Sequence, residues 1–225
     1  MPEHVHVHAP HELTEAGEQH VSGRERWFEM AAVLLLSLAT VGIAWSGYQA
    51  ARWSGIQARS YAQASTARAH ANRAATLGGQ LRIQDLLNFN RWLEASTEGK
   101  TELADLYVRR FRPEFRPAFE AWLANDPLHN RNAVATPLLM PQYKLADVER
   151  ADALERVGDR RFGEGKSSTE HADAYIFATV FFATVLFFAG ISMRFVWWPM
   201  RAAVLVLGAL SFVYAALKLL TLPAH

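Results

Sequence analysis

Three stretches of this chain carry no Asp, Glu, Lys or Arg, and their lengths constrain the fold more than any other feature. Met30 to Gly47 gives eighteen such residues, Ala174 to Met193 twenty, and Ala202 to Leu217 sixteen; the last extends to Leu222 if Lys218 reaches out to the interface. An α-helix rises ~1.5 Å per residue and the hydrocarbon core of a bilayer is ~30 Å thick, so each run is close to one crossing. The expectation is an all-α membrane protein with three transmembrane helices. Trp27 and Phe28 before the first run, Trp45 and Tyr48 at its end, and Tyr175, Trp197, Trp198 and Tyr214 near the later ones fit interfacial aromatic belts.

Charge is segregated accordingly. Nearly all of the 23 Lys and Arg and 22 Asp and Glu lie before Met30 or between Gly47 and Ala174, and the net charge of +1 gives no reason to expect a nucleic-acid partner. Cysteine is absent, which excludes disulfides and thiolate chemistry. The organisation expected is a polar, His-rich tail over 1–26, a retained span over 27–48 and a helical soluble domain over 49–173. Two more spans follow over 174–195 and 200–222. A charged tail precedes the first run and Ala44–Trp45–Ser46–Gly47–Tyr48 is a poor cleavage site, so it reads as an anchor rather than a cleaved signal. Basic residues flank both sides of the membrane; the acidic tail tips the domain toward the cytoplasm.

Gln49 to Ser96 is rich in Ala, Gln and Arg and free of proline, which predicts one long helix continuing from the first span. Gly78–Gly79 is the place for a kink or break. Along this helix Ala58, Ala62, Ser65, Ala69, Asn72 and Thr76, continuing through Gly79, Ile83, Leu86, Asn90 and Leu93, recur at 4-3-4-3 spacing, a heptad seam whose first half is small enough for close helix approach. Ala64, Ala67, Ala71 and Ala74 form an equally good small face. A second copy and a helix of the same chain both remain open as partners.

Thr101 to Phe111 reads as a second helix, a turn at Arg112–Pro113 leads to a short helix bearing Phe115, Phe119, Trp122 and Leu123, and Asn125 to Gln142 reads as an extended loop. Lys144 to Arg161 is helical again, with Gly163 and Gly165 loosening the chain ahead of the second span. Together these segments predict a hairpin-like domain of long helices inserted between spans one and two.

Few residues point to chemistry. His4, His6 and His8 alternate, so in an extended chain their imidazoles project to one side and can converge on a divalent cation; the bland alternative is a solvated tail. Arg109, Arg110, Arg112 and Arg116 form a basic, aromatic-interleaved patch able to hold an anion. Glu102, Asp105, Glu114 and Glu120 lie close by, however, and pairs such as Asp105–Arg109 favour a self-neutralised surface. No ionisable residue sits in the middle of a span, which argues against proton relays and ion-coupled pumps. P-loop, dinucleotide, His-Glu-x-x-His and Gly-x-Ser-x-Gly motifs are absent, so no enzymatic activity and no cofactor are expected.

Through Ala44 to Gly55, Arg73 to Gln80, Arg109 to Leu123 and the phenylalanine-rich second span, the chain resembles an uncharacterised family of bacterial three-span integral membrane proteins. The resemblance implies a multi-pass protein of the bacterial plasma membrane and transfers no chemistry. The expected function is a non-enzymatic membrane scaffold or interaction protein that self-associates. A membrane sensor and a channel built from several copies are the alternatives.

Overall fold

The computed structural model describes residues 23–224. Among them are five α-helices, one 3-10 turn and no strand: α1 (Gly23–Thr97), α2 (Thr101–Arg110), α3 (Arg116–Leu123), the 3-10 turn Pro137–Leu139, α4 (Ala146–Ser192) and α5 (Trp198–Thr221). α1, α4 and α5 are each long and apolar enough to cross a membrane. The described residues divide into two compact units, one of residues 23–54 and 170–224 and one of residues 55–169.

The first unit packs parts of α1, α4 and α5. Its core is small: Ala39, Phe182, Val185 and Ala215 are buried, with Leu35, Ile43, Phe181, Leu186, Phe212 and Leu219 packed around them. Close approach of α1 and α4 depends on Gly42, where a Cβ would stand 2.7 Å from the Phe182 ring. Ser37, Thr40, Thr179, Thr184 and Ser192 return their hydroxyls to carbonyls three or four residues earlier, so they place no unsatisfied donor on the outer surface. Only 11%, 28% and 11% of the three apolar windows is buried within the chain, leaving Leu34, Val41, Phe187, Leu210 and Leu217 exposed. Trp27, Trp45, Tyr48, Trp197 and Trp198 are exposed as belt residues should be, but Tyr175 is only 1% exposed. It is interior because its hydroxyl and the Trp53 indole N–H both donate to the Pro223 carbonyl, at 3.2 and 3.1 Å, which ties the segment after α5 to α4 and α1. The Trp53 ring also packs against His171 in a tilted arrangement, with centroids 4.5 Å apart.

In the second unit α1 runs to Thr97 without interruption. The Gly78–Gly79 pair does not break it, because Gly78 is a contact point: a Cβ there would meet Val148 Cγ2 at 2.7 Å, whereas Gly79 faces open space. Gly163 and Gly165 likewise lie inside a continuous α4. α2 ends where Phe111 turns extended ahead of Arg112–Pro113, and Pro117 opens α3 in its first turn. Around these short helices lies the principal aromatic core, Phe89, Trp92, Phe111, Phe115, Phe119 and Trp122, in which Phe89–Trp122, Trp92–Phe119, Phe111–Phe115 and Phe111–Phe119 meet edge-on at about 5 Å as their quadrupoles favour. The 3-10 turn is anchored here too, since Leu138 and Met140 pack on the same cluster.

Candidate functional site: a buried carboxylate latch and an uncovered helix face

The most polar feature of the second unit's interior is Asp85, 1% exposed on α1. Arg112 grips it with two parallel bonds, Nε to Oδ1 at 3.0 Å and Nη2 to Oδ2 at 2.9 Å, and the Tyr143 hydroxyl donates to Oδ2 at 3.0 Å. The fork of the guanidinium matches a carboxylate, so three donors compensate a charge removed from water. Arg112 also lies 3.4 Å from Glu114. Hydrogen bonding to Asp85 holds the Arg112 guanidinium in its charged form above the usual range, and burial, reinforced by the bond to Asp85, pushes the Tyr143 phenol far above its ordinary value. Three donors thus converge on the two oxygens of Asp85. The arrangement holds α1, the α2–α3 turn and the segment before α4 in register.

The sequence singled out Arg112 as part of a surface patch and passed over Asp85. Its register was the available signal: Asp85 lies on the row of α1 that runs through Ala71, Ala74, Gly78, Trp92 and Ala95, a carboxylate at a core position of a heptad. The basic patch itself is partly dissolved by the fold. Arg116 donates to the carbonyls of Phe111 and Arg109 at 3.2 and 3.1 Å, and the expected Asp105–Arg109 pair is not among the ion pairs of the described residues. The arginine-rich sequence thus caps a turn and neutralises a buried acid.

Of the two small faces of α1, the fold covers one. Ala64, Ala67, Ala71 and Ala74 are buried, at 2%, 7%, 7% and 6% exposure. α4 lies against this side: a Cβ on Gly158 would stand 3.0 Å from Arg68 Cγ and 3.5 Å from the Ala64 carbonyl oxygen, Arg68 pairs with Asp159 at 3.0 Å, and Tyr61 lies over Gly165. Ala58, Ala62, Ser65, Ala69, Asn72 and Thr76 are all exposed, and Ile83 and Leu86, which continue their spacing, are 59% and 39% exposed. Two shallow depressions, of about 450 and 430 Å³, run beside this row, one between Tyr61, Ser65, Arg68, Ala69, Asn72 and Phe162, the other along Asn72, Thr76 and Gln80.

His4, His6 and His8 lie outside the described residues. Among the described residues no three His, Asp or Glu side chains gather as a metal site. His129 pairs with Asp126 at 2.8 Å on the surface, and that hydrogen bond raises the imidazole above its ordinary range.

The fold thus defines an all-helical protein with three helices fit to cross a membrane and a long-helix unit closed by an aromatic cap. Comparison with models of known families, with characterised proteins and with solved structures finds no match to this chain.

Proposed function

We propose that this chain is a non-enzymatic integral membrane scaffold that self-associates through the outward row of α1. Three observations support the membrane setting: the apolar helices, their outward Leu, Val and Phe side chains, and the exposed aromatic residues at their ends. The single observation that carries the self-association is the uncovered heptad row from Ala58 to Leu86. A charged, water-facing unit leaves Ile83 and Leu86 exposed in register with small residues, although α4 covers the opposite row. Copies anchored in one membrane share one orientation, so their α1 helices meet in parallel. Small positions then let the backbones approach, and Ile83 and Leu86 supply the apolar contact.

The test uses the absence of cysteine. Ser65→Cys, in detergent or native membranes, is expected to give an oxidised dimer, and Ala62→Leu with Ala69→Leu is expected to reduce it at unchanged helicity. A monomeric mass for the parent chain by light scattering, with no Ser65→Cys dimer, refutes the proposal. The resemblance supports a bacterial plasma membrane and the acidic tail supports a cytoplasmic 55–169 unit. An impermeant thiol reagent that labels Asn132→Cys from outside intact cells would reverse that orientation.

A further inference from the structure

The face of the 55–169 unit that carries the outward row of α1 also carries a row of acids on α4. Asp152, Glu155, Asp159 and Phe162 recur at 3-4-3 spacing and so share one side of that helix. Phe162 lines the depression of about 450 Å³ together with Ser65, Ala69 and Asn72, and Asp159 pairs with Arg68 at 3.0 Å, which sets the acid row beside the outward row on one surface. Arg73 stands on the other flank. It is five residues from Arg68, about 140° around the helix, so the outward row runs between the two arginines.

Two close contacts fix height along the helices: Gly78 meets Val148, and Gly158 meets Arg68. Arg73 lies midway between positions 68 and 78 of α1, and Ala153 midway between positions 148 and 158 of α4. Asp152 and Glu155 are therefore level with Arg73 but on the opposite edge of the face. All three are exposed, and none joins an ion pair among the described residues.

A closed pair of identical copies is two-fold symmetric, and for copies in one membrane the axis lies along the membrane normal. That rotation keeps every residue at its height and exchanges the two edges of the face. Laying outward row on outward row thus sets the Arg73 edge of each copy against the Asp152–Glu155 edge of the other. We infer, on the self-association reading, that Arg73 of each protomer pairs with Asp152 and Glu155 of its partner, so that α4 as well as α1 lines the interface. The acids have a purpose there. An α1 pair alone would bring Arg68 of one copy toward Arg73 of the other, and like charges across an interface are costly. With Asp159 holding Arg68 and the partner's acids holding Arg73, both arginines are compensated.

The experiment measures dimer dissociation of the full chain in detergent by sedimentation equilibrium. Arg73→Glu alone and Asp152→Lys/Glu155→Lys alone are each expected to weaken the dimer by about tenfold or more, and the three changes together to restore most of the loss. Arg160→Glu makes the same change of charge about 100° around α4 from Asp159 and is expected to dimerise as the parent does. Copies bearing Arg73→Cys, mixed with copies bearing Glu155→Cys, are expected to give a mixed product with a short bismaleimide, a readout that needs no charge reversal to fold. A dimeric parent in which Arg73→Glu behaves as Arg160→Glu does, in which folded variants fail to compensate, or in which no mixed product forms overturns this inference and leaves self-association standing. A monomeric parent overturns both.

Discussion

Removing the Arg112 guanidinium tests whether the latch stabilises the 55–169 unit as its burial implies. Arg112→Met keeps the aliphatic stem and deletes both bonds to Asp85, at 3.0 and 2.9 Å, leaving a carboxylate that is 1% exposed with Tyr143 as its remaining donor. Stranding one member of a buried pair costs about 3–5 kcal/mol, and the 17% side-chain exposure of Arg112 places the expectation at the lower end. Arg68–Asp159 is the internal control, since its 3.0 Å distance is the same but its side chains are 46% and 65% exposed. Arg68→Met is therefore expected to lose about 1 kcal/mol or less. Guanidinium unfolding of the detergent-solubilised chain, followed by near-ultraviolet circular dichroism of the aromatic cap, reads both as midpoint shifts at constant slope. Asp85→Leu/Arg112→Met should recover much of the loss, because no charge is then stranded. Equal losses near 1 kcal/mol for Arg112→Met and Arg68→Met would refute the reasoning, since burial would then have made no difference.

Two further outcomes follow from the same unit. The Tyr143 phenol ionises above its ordinary 10.0, chiefly through burial, so the folded state favours the neutral form. Its contribution is complete below pH 10 and is lost as pH rises beyond it, so alkaline unfolding monitored by tyrosinate absorbance should be steep in the parent and shallower in Tyr143→Phe. Gly163 and Gly165 of α4 should respond in opposite directions. Gly163→Ala meets nothing within 4 Å and should stabilise by up to ~1 kcal/mol through helix propensity. Gly165→Ala places a Cβ 2.6 Å from the Tyr61 ring and should destabilise by about 1–3 kcal/mol, and thermal melts that rank the two alike would show that Tyr61 yields freely.

Run length and composition made the helices legible. A backbone that satisfies its own hydrogen bonds needs only suitable local residues, so the proline-free stretch after Gln49, the restart after Arg112–Pro113 and the three apolar runs all read directly from neighbouring positions. The two glycine pairs misled for the complementary reason. Gly78 and Gly165 weaken a helix considered alone, but here they admit Val148 and Tyr61 from the opposing helix, which local propensity does not contain. Tyr175 was read as a belt residue because position along a span does not reveal which side faces the bundle.

By itself, then, the sequence determined that this is a helical chain with three stretches suited to lipid, and it narrowed the packing face of α1 to two rows of equal spacing. Which row α4 covers was decided only in three dimensions, because Ala, Ser and Thr on either row offer nearly the same area and the choice rests on the glycines of α4 that meet them. The pairing of Asp85 was decided there as well. Its donors stand 27 and 58 residues away, and only the closed cap brings them within 3.0 Å.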